Sequence, residues 1–283
     1  MTSQFFKDML AVLVLYQKQV EESDTFISLA KRVRGSSQKI DMVIYDNGTA
    51  PLWHGNIDFH SSFRIRYVSD TSNPGVSKAY NTGFEIARQL RKKWLLLLDQ
   101  DTVFPEDTFT NYIAAMEANA DPPLFAPILT SHGKIYSPCG QIFNGNFHLR
   151  HVRPGRVPAR GKSLLNSGMC ISIDAFEKIG GFDERIPLDF ADHDFMRRYK
   201  QHFDGFVVVD VVCQHGFSDK ERADISTSLT RFGYYCRGAR NYVKGIQDAL
   251  SLFPITLLRA IRLSLRYRSL KFLQLFFFTS AKN

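Results

Sequence analysis

The sequence predicts an α/β protein with a mostly parallel β-sheet flanked by helices. Within the first 100 residues, short apolar runs alternate with amphipathic stretches in the order strand, helix, strand, strand, helix, strand. Turn-forming or acidic residues follow the apolar runs directly, at Asp46 and at Asp99 to Asp101. The composition, 44% apolar and 23% charged, is that of an ordinary globular protein. These observations exclude a disordered or fibrous chain.

The elements can be assigned in order along the chain. Residues 9–16 form an unbroken apolar run typical of a strand buried on both faces. A polar amphipathic stretch then predicts a helix over residues 20–33. The remaining elements of this half are strands over residues 40–45, 64–69 and 94–98 and helices over residues 76–90 and 105–116.

The second half is less regular. Residues 122–162 are rich in Pro, Gly and His and predict loops and short strands. Order returns over residues 164–173, followed by a helical segment over 174–180, a helix over 192–202 and a strand over 206–212. After residue 218 the chain becomes helical and basic. We therefore expect a catalytic domain over residues 1–225 and a basic helical C-terminal segment over residues 226–283.

The net charge of +8 is concentrated in this C-terminal segment. Before Leu229 there are 27 acidic and 26 basic residues, whereas from Leu229 onward there are ten basic residues and one acid, Asp248. A nucleic-acid binder is expected to carry a basic stripe on its folded body or a recognisable motif, and neither is present. The basic pI therefore does not indicate nucleic acid as a partner.

Cysteine usage and the N-terminal sequence indicate a compartment. Four cysteines lie far apart with no CxxC pair, which predicts reduced, mostly buried thiols. The apolar run at residues 9–16 is too short to span a membrane and lacks the flanks of a signal peptide. Both features favour a cytoplasmic protein.

Asp99 and Asp101 follow the most apolar predicted strand of the first half. Residues two apart in a strand point to the same side, so the two carboxylates repel each other unless a cation lies between them. A hard divalent ion such as Mg²⁺ or Mn²⁺, itself holding phosphate oxygens, satisfies this condition. The alternative is that Asp101 caps the next turn and Asp99 binds backbone amides.

Polar and glycine residues after two other strands are candidates for nucleotide binding. Asp46 can accept a hydrogen bond from a nucleotide base, or it can bind its own Asp-Asn-Gly turn. Asn73, Gly75 and Asn81 bracket the following turn and helix start, where close backbone approach to phosphate or ribose is possible. The chain contains no GxGxxG and no GxxxxGK[ST] motif.

A third cluster, PLDFADHDFMRRY, places Asp189, Asp192, His193 and Asp194 at a predicted helix start. Helix capping explains one or two of these acids, and a remaining carboxylate is a candidate general base. His215 follows the last predicted strand. It is either a third metal ligand or a structural histidine.

Taken together, several segments resemble the family 2 glycosyltransferases of the GT-A fold, and among them the bacterial rhamnosyltransferase-like branch. They span roughly residues 9–215 in the family's order: VIYDNGTAP, NPGVSKAYNTGFEIA, WLLLLDQDTVFPEDTF, LLNSGMCISIDAFEKIGGFDE and PLDFADHDFMRR. The resemblance implies an inverting transferase that uses a nucleoside-diphosphate sugar, with L-rhamnose from dTDP-rhamnose as the favoured donor. A UDP-sugar of galactose, N-acetylglucosamine or glucose is the alternative.

The resemblance also implies roles for individual residues. Asp192 matches the family's catalytic base, and Asp99 and Asp101 match the DxD pair that holds the metal and the diphosphate. Asp46 would contact the nucleotide base with Tyr16 nearby, and His215 matches a histidine near the metal. The chain departs from the pattern at Ala191, often acidic, and at Phe195, usually Trp in the rhamnosyl branch. The expected acceptor is a lipid-linked saccharide in bacterial surface polysaccharide synthesis, such as O-antigen or capsule.

The end of the chain predicts a basic amphipathic helix over residues 254–278. At 100° per residue, three arginines fall within an arc of about 60°, and apolar residues gather on the far side: Leu258, Ile261, Leu265, Phe272 and Phe276. Its basic residues argue against a membrane span and favour a helix in the interface of an anionic membrane, on the cytoplasmic face. The alternatives are a helix packed on the catalytic domain and, from another class, a non-catalytic protein that binds membrane surfaces.

Overall fold

A computed structural model describes residues 2–33, 39–48, 62–119, 121–142, 144–216 and 224–278. The helices are α1 (Thr2–Asp8), α2 (Asp24–Val33), α3 (Val76–Gln89), α4 (Thr108–Ala118), α5 (Ile173–Ile179), α6 (Ala191–Tyr199), α7 (Ile225–Tyr242), α8 (Ile246–Tyr267) and α9 (Lys271–Phe278), with a 3₁₀ turn at Val20–Glu22. The strands of the first half are β1 (Met9–Leu15), β2 (Ile40–Asp46), β3 (Phe63–Ser69), β4 (Trp94–Asp99), β5 (Thr102–Val103), β6 (Leu124–Ser131) and β7 (Lys134–Ser137). Then come β8 (Cys139–Ile142), β9 (Gly145–Phe147), β10 (Gly155–Pro158), β11 (Lys162–Ser163), β12 (Cys170–Ser172) and β13 (Gly205–His215).

The main sheet has the strand order β10-β13-β6-β12-β4-β1-β2-β3, with β5 and β7 paired at its side. Strands β1, β2, β3 and β4 run parallel, and β13 runs parallel to β6. Strand β12 is antiparallel to both of its neighbours, β4 and β6. A separate three-stranded sheet has the order β11-β8-β9. The prediction of a mostly parallel sheet flanked by helices is confirmed.

Strand β1 shows why the sheet must be covered on both faces. All seven of its residues are buried, and they alternate between two apolar clusters, as the two-residue period of a strand requires. Leu10 and Val12 belong to the cluster with α3, α5 and α6, whereas Met9 and Ala11 belong to the cluster with α1, α2 and α4. Gly83 of α3 packs so closely on the sheet that a Cβ there would lie 2.3 Å from a methyl group of Val12.

Most predicted strands lie where the apolar runs placed them, but several helix boundaries differ. The helix expected over residues 20–33 is divided into the 3₁₀ turn and α2, because the Ser23 hydroxyl accepts from the Phe26 amide and donates to the Gln100 carbonyl. The helix expected to begin at Pro105 begins at Thr108. Helix α1 was not predicted. All four cysteines are buried free thiols, in line with the sequence expectation.

The prediction of one helix over residues 254–278 is wrong. Helix α8 ends at Tyr267, where Arg268 adopts a left-handed conformation, and α9 follows as a separate helix. Phe272 and Phe276 of α9 are buried with Phe232 of α7. They therefore do not share an exposed face with the leucines of α8.

Helix α8 buries Leu252 and three small residues and exposes several large apolar residues. Thr256, Ala260 and Ser264 are 5%, 0% and 8% exposed, whereas Leu258 and Leu265 are 65% and 74% exposed. Within the described part of the chain, no helix combines the length and apolar character needed to cross a membrane.

Candidate active site

The functional residues gather where the parallel strands end. Since β1, β2 and β4 run in the same direction, Tyr16, Asn47 and Asp99 lie at one edge of the sheet, where ligands of open α/β sheets bind. A cavity of about 620 Å³ opens there. Its walls come from the ends of β1, β4 and β13, the loop before α6, and α7.

Asp99, Asp101 and His215 form a cluster in the wall of this cavity. One candidate ligand atom from each lies within 4.8 Å of the others. Asp101 Oδ1 is 3.7 Å from His215 Nδ1. The short strand β5 pairs with the end of β13, and this pairing brings His215 beside the acids that follow β4.

Buried hydroxyl groups hold the cluster in place. The Tyr80 hydroxyl donates to Asp99 Oδ1 at 2.8 Å. Thr102 Oγ1 lies 2.8 Å from both His215 Nδ1 and Ser167 Oγ, and the Ser167 hydroxyl accepts from the Asp99 amide at 3.3 Å. Contacts within the protein thus position the side chains of Asp99 and His215.

The two carboxylates of the cluster are electrostatically strained. Burial raises the pKa of Asp99, while the charge of His215 and the hydroxyl of Tyr80 act in the opposite direction. Burial, and then the nearby charge of Asp99, raise the pKa of Asp101 to about 6. Two half-buried carboxylates and an imidazole at this spacing are a donor set that fits a divalent cation.

Asp192 lies in the first turn of α6 and also lines the cavity. Its Oδ1 accepts from the His193 amide at 2.7 Å. Burial raises the pKa of Asp192, and the charges of Asp99 and Asp189 raise it further, whereas His193 lowers it. His193 is itself held by Ser163, 2.8 Å from its Nδ1, and by Asn146.

The other two acids of the PLDFADHD segment have different surroundings. Asp194 is almost fully buried and pairs with Arg197 at 2.6 Å and Arg198 at 2.9 Å, so it serves the packing of α6. Asp189 lines the cavity and pairs with Arg231 of α7 at 3.2 Å. The cluster therefore contains one structural carboxylate and two that face the cavity.

Three predicted nucleotide-binding residues line the same cavity: Tyr16, Asn73 and Gly75. The Tyr16 amide donates to Gln100 Oε1 at 2.8 Å. Asn73 and Gly75 have φ angles of 51° and 98°, and a Cβ on Gly75 would lie 2.1 Å from the Pro187 carbonyl oxygen. Only glycine allows this turn to pack against the segment that leads to Asp192.

Asp46 and Asn81 lie outside the lining of the cavity. Asp46 is buried, and its carboxylate accepts from the Gly48 amide at 2.7 Å and from the Tyr67 hydroxyl, while the next residue, Asn47, reaches the cavity. The Asn81 side chain donates to the Phe182 carbonyl at 2.9 Å and accepts from the Phe182 amide at 2.8 Å. The structure does not bring Asn81 together with the other predicted donor residues.

Sequence reasoning missed the wall contributed by α7. Thr227, Thr230, Arg231 and Tyr234 line the cavity, although they follow the expected domain boundary at residue 225. Their spacing of three and four residues places them on one face of a helix. A Cβ on Gly238 would lie 2.4 Å from the Asp189 carbonyl oxygen, which shows how closely α7 packs on the cavity. Local sequence could reveal this face but not what it contacts.

The sheet and its helical cover are those of the GT-A fold, with the paired acids at the edge where ligands of such sheets bind. The family model described as glycosyl transferase family 2 matches residues 22–131. Together with the relative described below, this match supports the sequence resemblance to family 2 glycosyltransferases of the rhamnosyltransferase-like type. The class predicts a nucleotide-sugar donor.

Particular relatives agree with this assignment. The dTDP-rhamnosyl transferase RfbF of Shigella flexneri is 23% identical over 216 residues, which cover 74% of this chain and 69% of that protein. The S. aureus TarS fragment 1–349 superposes with a TM-score of 0.53 at 12% identity, over 95% of this chain and 89% of that one. GalNAc-T7, solved with UDP, GalNAc and Mn²⁺, gives a TM-score of 0.59 at 11% identity over 94% of this chain and 56% of its own. Both structural likenesses are likenesses of fold.

Proposed function

We propose that this protein is an inverting, metal-dependent glycosyltransferase that moves a sugar from a nucleoside diphosphate to a hydroxyl group. The observation that carries the proposal is the placing of Asp192 and the Asp99–Asp101–His215 cluster in the walls of one cavity. A single displacement needs a site for the diphosphate and one base for the acceptor hydroxyl. The two groups supply these two requirements.

Asp99, Asp101 and His215 would hold Mn²⁺ or Mg²⁺. Their candidate ligand atoms lie within 4.8 Å of one another, and a cation there would relieve the mutual repulsion that raises the pKa of Asp101. When bound, the ion supplies positive charge that neutralises the leaving diphosphate. Tyr80 holds Asp99, and Thr102, itself bonded to Ser167, holds His215.

Asp192 would act as the general base. It is the cavity-facing carboxylate of α6, and it has no strong ion pair comparable to that of Asp194 with two arginines. Burial raises its pKa, which makes the ionised carboxylate a better proton acceptor. Asp192 would take the proton of the acceptor hydroxyl as its oxygen attacks the anomeric carbon.

Tyr16, Asn73, Gly75 and Asp99 would contact the donor nucleotide, with Asn47 reaching the cavity from beside Asp46. dTDP-L-rhamnose is the favoured donor, because the relative from Shigella flexneri is a dTDP-rhamnosyl transferase. A UDP-sugar is the alternative, since TarS and GalNAc-T7, which share the fold, have been solved with UDP ligands.

The acceptor would be a lipid-linked saccharide of a bacterial surface polysaccharide, reached at the cytoplasmic face of the membrane. The exposed apolar face of α8 supports this placing: Leu250, Leu258, Ile261 and Leu265 are separated by eight, three and four residues and lie on one side of the helix. Arg262 and Arg266 are exposed beside them and suit an anionic headgroup layer.

A thermal-shift screen tests the donor proposal. We would measure the melting temperature with dTDP-rhamnose, UDP-sugars and GDP-sugars, each with Mn²⁺, with Mg²⁺ and with EDTA. A metal-dependent rise with one nucleotide is expected, and Asp101→Ala should abolish its metal dependence. A wild-type protein that showed no shift with any of these nucleotides would contradict the proposed donor site.

A further inference from the structure

Acidic side chains outnumber lysine and arginine among the described residues that line the cavity. Asp99, Asp101, Asp189 and Asp192 all line it. Among the described lining residues, Arg231 of α7 is the one lysine or arginine. A diphosphate is itself an anion, so its entry into this cavity requires positive charge. Arg231 supplies a charge that is permanent at any working pH.

Arg231 lies close to the residues proposed to react. Its Nη2 is 3.2 Å from Asp189 Oδ1, and the charge of Asp189 in turn acts on Asp192. Tyr234, one turn further along α7, donates to the carbonyl of Asn73 at the opposite wall, at 3.4 Å. Arg231 therefore stands on a helix that faces both the base and the donor turn.

The contact with Asp189 positions Arg231 and leaves it able to bind an anion. A guanidinium carries five N–H donors in a fixed plane, and the recorded bond to Asp189 uses Nη2. The close packing of Gly238 against the Asp189 carbonyl fixes the distance between α7 and this acid. Asp189 is thus a positioning residue that orients the guanidinium plane.

Neighbouring arginines of α7 are engaged elsewhere. Arg237 lies over the Tyr234 ring at 5.0 Å, and Arg240 donates to the Phe276 carbonyl of α9. The structure instead directs the guanidinium of Arg231 to the cavity.

We propose that Arg231, oriented by Asp189, binds the diphosphate of the donor and stabilises it as it leaves. The inference rests on the proposed function. In the transfer step, the acceptor oxygen bonds to the anomeric carbon, the bond from that carbon to the phosphate oxygen breaks, and its electron pair stays on the phosphate. The acceptor proton passes to Asp192. The diphosphate thereby gains a negative charge, which Arg231 offsets.

Calorimetric titration of the full chain with Mn²⁺ tests this role. The probes are dTDP, dTMP and thymidine, with UDP, UMP and uridine in parallel. The variants are Arg231→Ala, Arg231→Lys and Asp189→Asn. The matched control is Arg160→Ala, which removes an exposed arginine outside the cavity lining.

We expect Arg231→Ala to weaken diphosphate binding by ~10- to 100-fold, the effect of one lost charged hydrogen bond. Monophosphate binding should weaken less and nucleoside binding not at all. Arg231→Lys should recover part of the loss, because the charge remains but the fork is lost. Asp189→Asn should fall between the wild type and Arg231→Ala, and Arg160→Ala should match the wild type.

The outcomes separate this inference from the proposed function. A wild type that bound neither diphosphate would overturn both. Metal-dependent diphosphate binding that Arg231→Ala left unchanged would overturn the role of Arg231 alone. An equal loss for diphosphate and nucleoside would show that Arg231 only supports the shape of the cavity, and would also overturn it.

Discussion

The α/β body and helix α8 differ in how much of their apolar side chains they expose to solvent. Strand β1 buries all seven of its residues, and the acids at the carboxyl end of its neighbour β4 and just beyond it face a cavity. Helix α8 buries Thr256, Ala260 and Ser264 and exposes Leu258 and Leu265. Both faces of the main sheet are covered by helices. Helix α8 exposes apolar side chains together on one side, as a candidate interaction surface does.

Helix α7 shows that the two regions are nevertheless joined. It begins at the expected domain boundary, lines the catalytic cavity with one face and packs on α9 with Phe232. Asp248 at the start of α8 pairs with Arg197 of α6 at 3.1 Å and accepts from Asn144 at 3.0 Å. Helix α6, which carries Asp192, is therefore tied directly to the C-terminal helices.

The largest effect should come from the body alone. Asp192→Asn keeps the size of the side chain and removes its ability to accept a proton, so we expect transfer to fall by ~10²–10⁴-fold. Nucleoside-diphosphate binding measured by calorimetry should stay near the wild-type value. Near-full transfer activity in a purified assay would show that another group is the base.

The next effect should come from α8 alone. The double variant Leu258→Ser, Leu265→Ser should lower binding to phosphatidylglycerol vesicles by ~10-fold or more, since each leucine contributes ~1.5–3 kcal/mol when fully buried. Vesicle sedimentation measures this loss. Nucleotide affinity should not change, because neither residue lines the catalytic cavity.

Leu90→Ser is the matched control, because Leu90 is a leucine 50% exposed at the end of α3. It should bind vesicles as the wild type does. Equal binding of vesicles by the double variant and the wild type would contradict the proposal that α8 binds membranes.

A pair of glycines on α7 tests the junction between the regions. Gly238→Ala places a Cβ 2.4 Å from the Asp189 carbonyl, so we expect a loss of ~1–3 kcal/mol of unfolding free energy. Gly233 lies on the same helix, and a Cβ there would meet no atom within 4 Å. Gly233→Ala should therefore stabilise the protein by ~0.5–1 kcal/mol, because alanine has the higher helix propensity. Urea unfolding measures both, and a stable Gly238→Ala protein would argue against close packing of α7 on the cavity.

The smallest effect concerns the pH dependence of stability that Asp101 causes when EDTA removes divalent metal. The pKa of Asp101 is raised to about 6 from its ordinary value of 3.8, so between pH 4 and 6 the folded protein holds more protons than the unfolded chain. Stability in EDTA should therefore fall as the pH rises through this range and level off above it. Asp101→Asn removes this slope and should add stability on the order of 1 kcal/mol at pH 7.5. Urea unfolding at pH 4.5 and 7.5 measures this change. The same change in unfolding free energy for the wild type and Asp101→Asn would contradict the raised pKa.

Local patterns were sufficient to predict the strands and the acids that follow them. The run before Asp99 is apolar because β4 is buried, and its parallel pairing with β1 places Asp99 at the ligand-binding edge. Asp192 was predicted from its resemblance to a family motif. These features depend on short stretches of sequence and on the period of a strand or helix.

Features that depend on distant contacts could not be read in this way. Asn81 has the residue type of a ligand-binding group, yet its amide is used by Phe182, about 100 residues away in the chain. Arg231 looked like one basic residue among ten, and only its contact with Asp189 distinguishes it. The break at Arg268 is equally hidden, because periodicity alone continues through it.

The contacts of Phe190 determine where this chain could be joined to a related enzyme in a chimera. It holds a left-handed conformation with φ 75°, directly before the helix that carries Asp192, and packs on Tyr235 and Tyr242 of α7. Such a backbone costs ~1–3 kcal/mol unless its surroundings enforce it. A chimera joined at residue 225 would separate Phe190 from the rings that hold it. A chimera joined at residues 243–245 would inherit the base and its support as one unit.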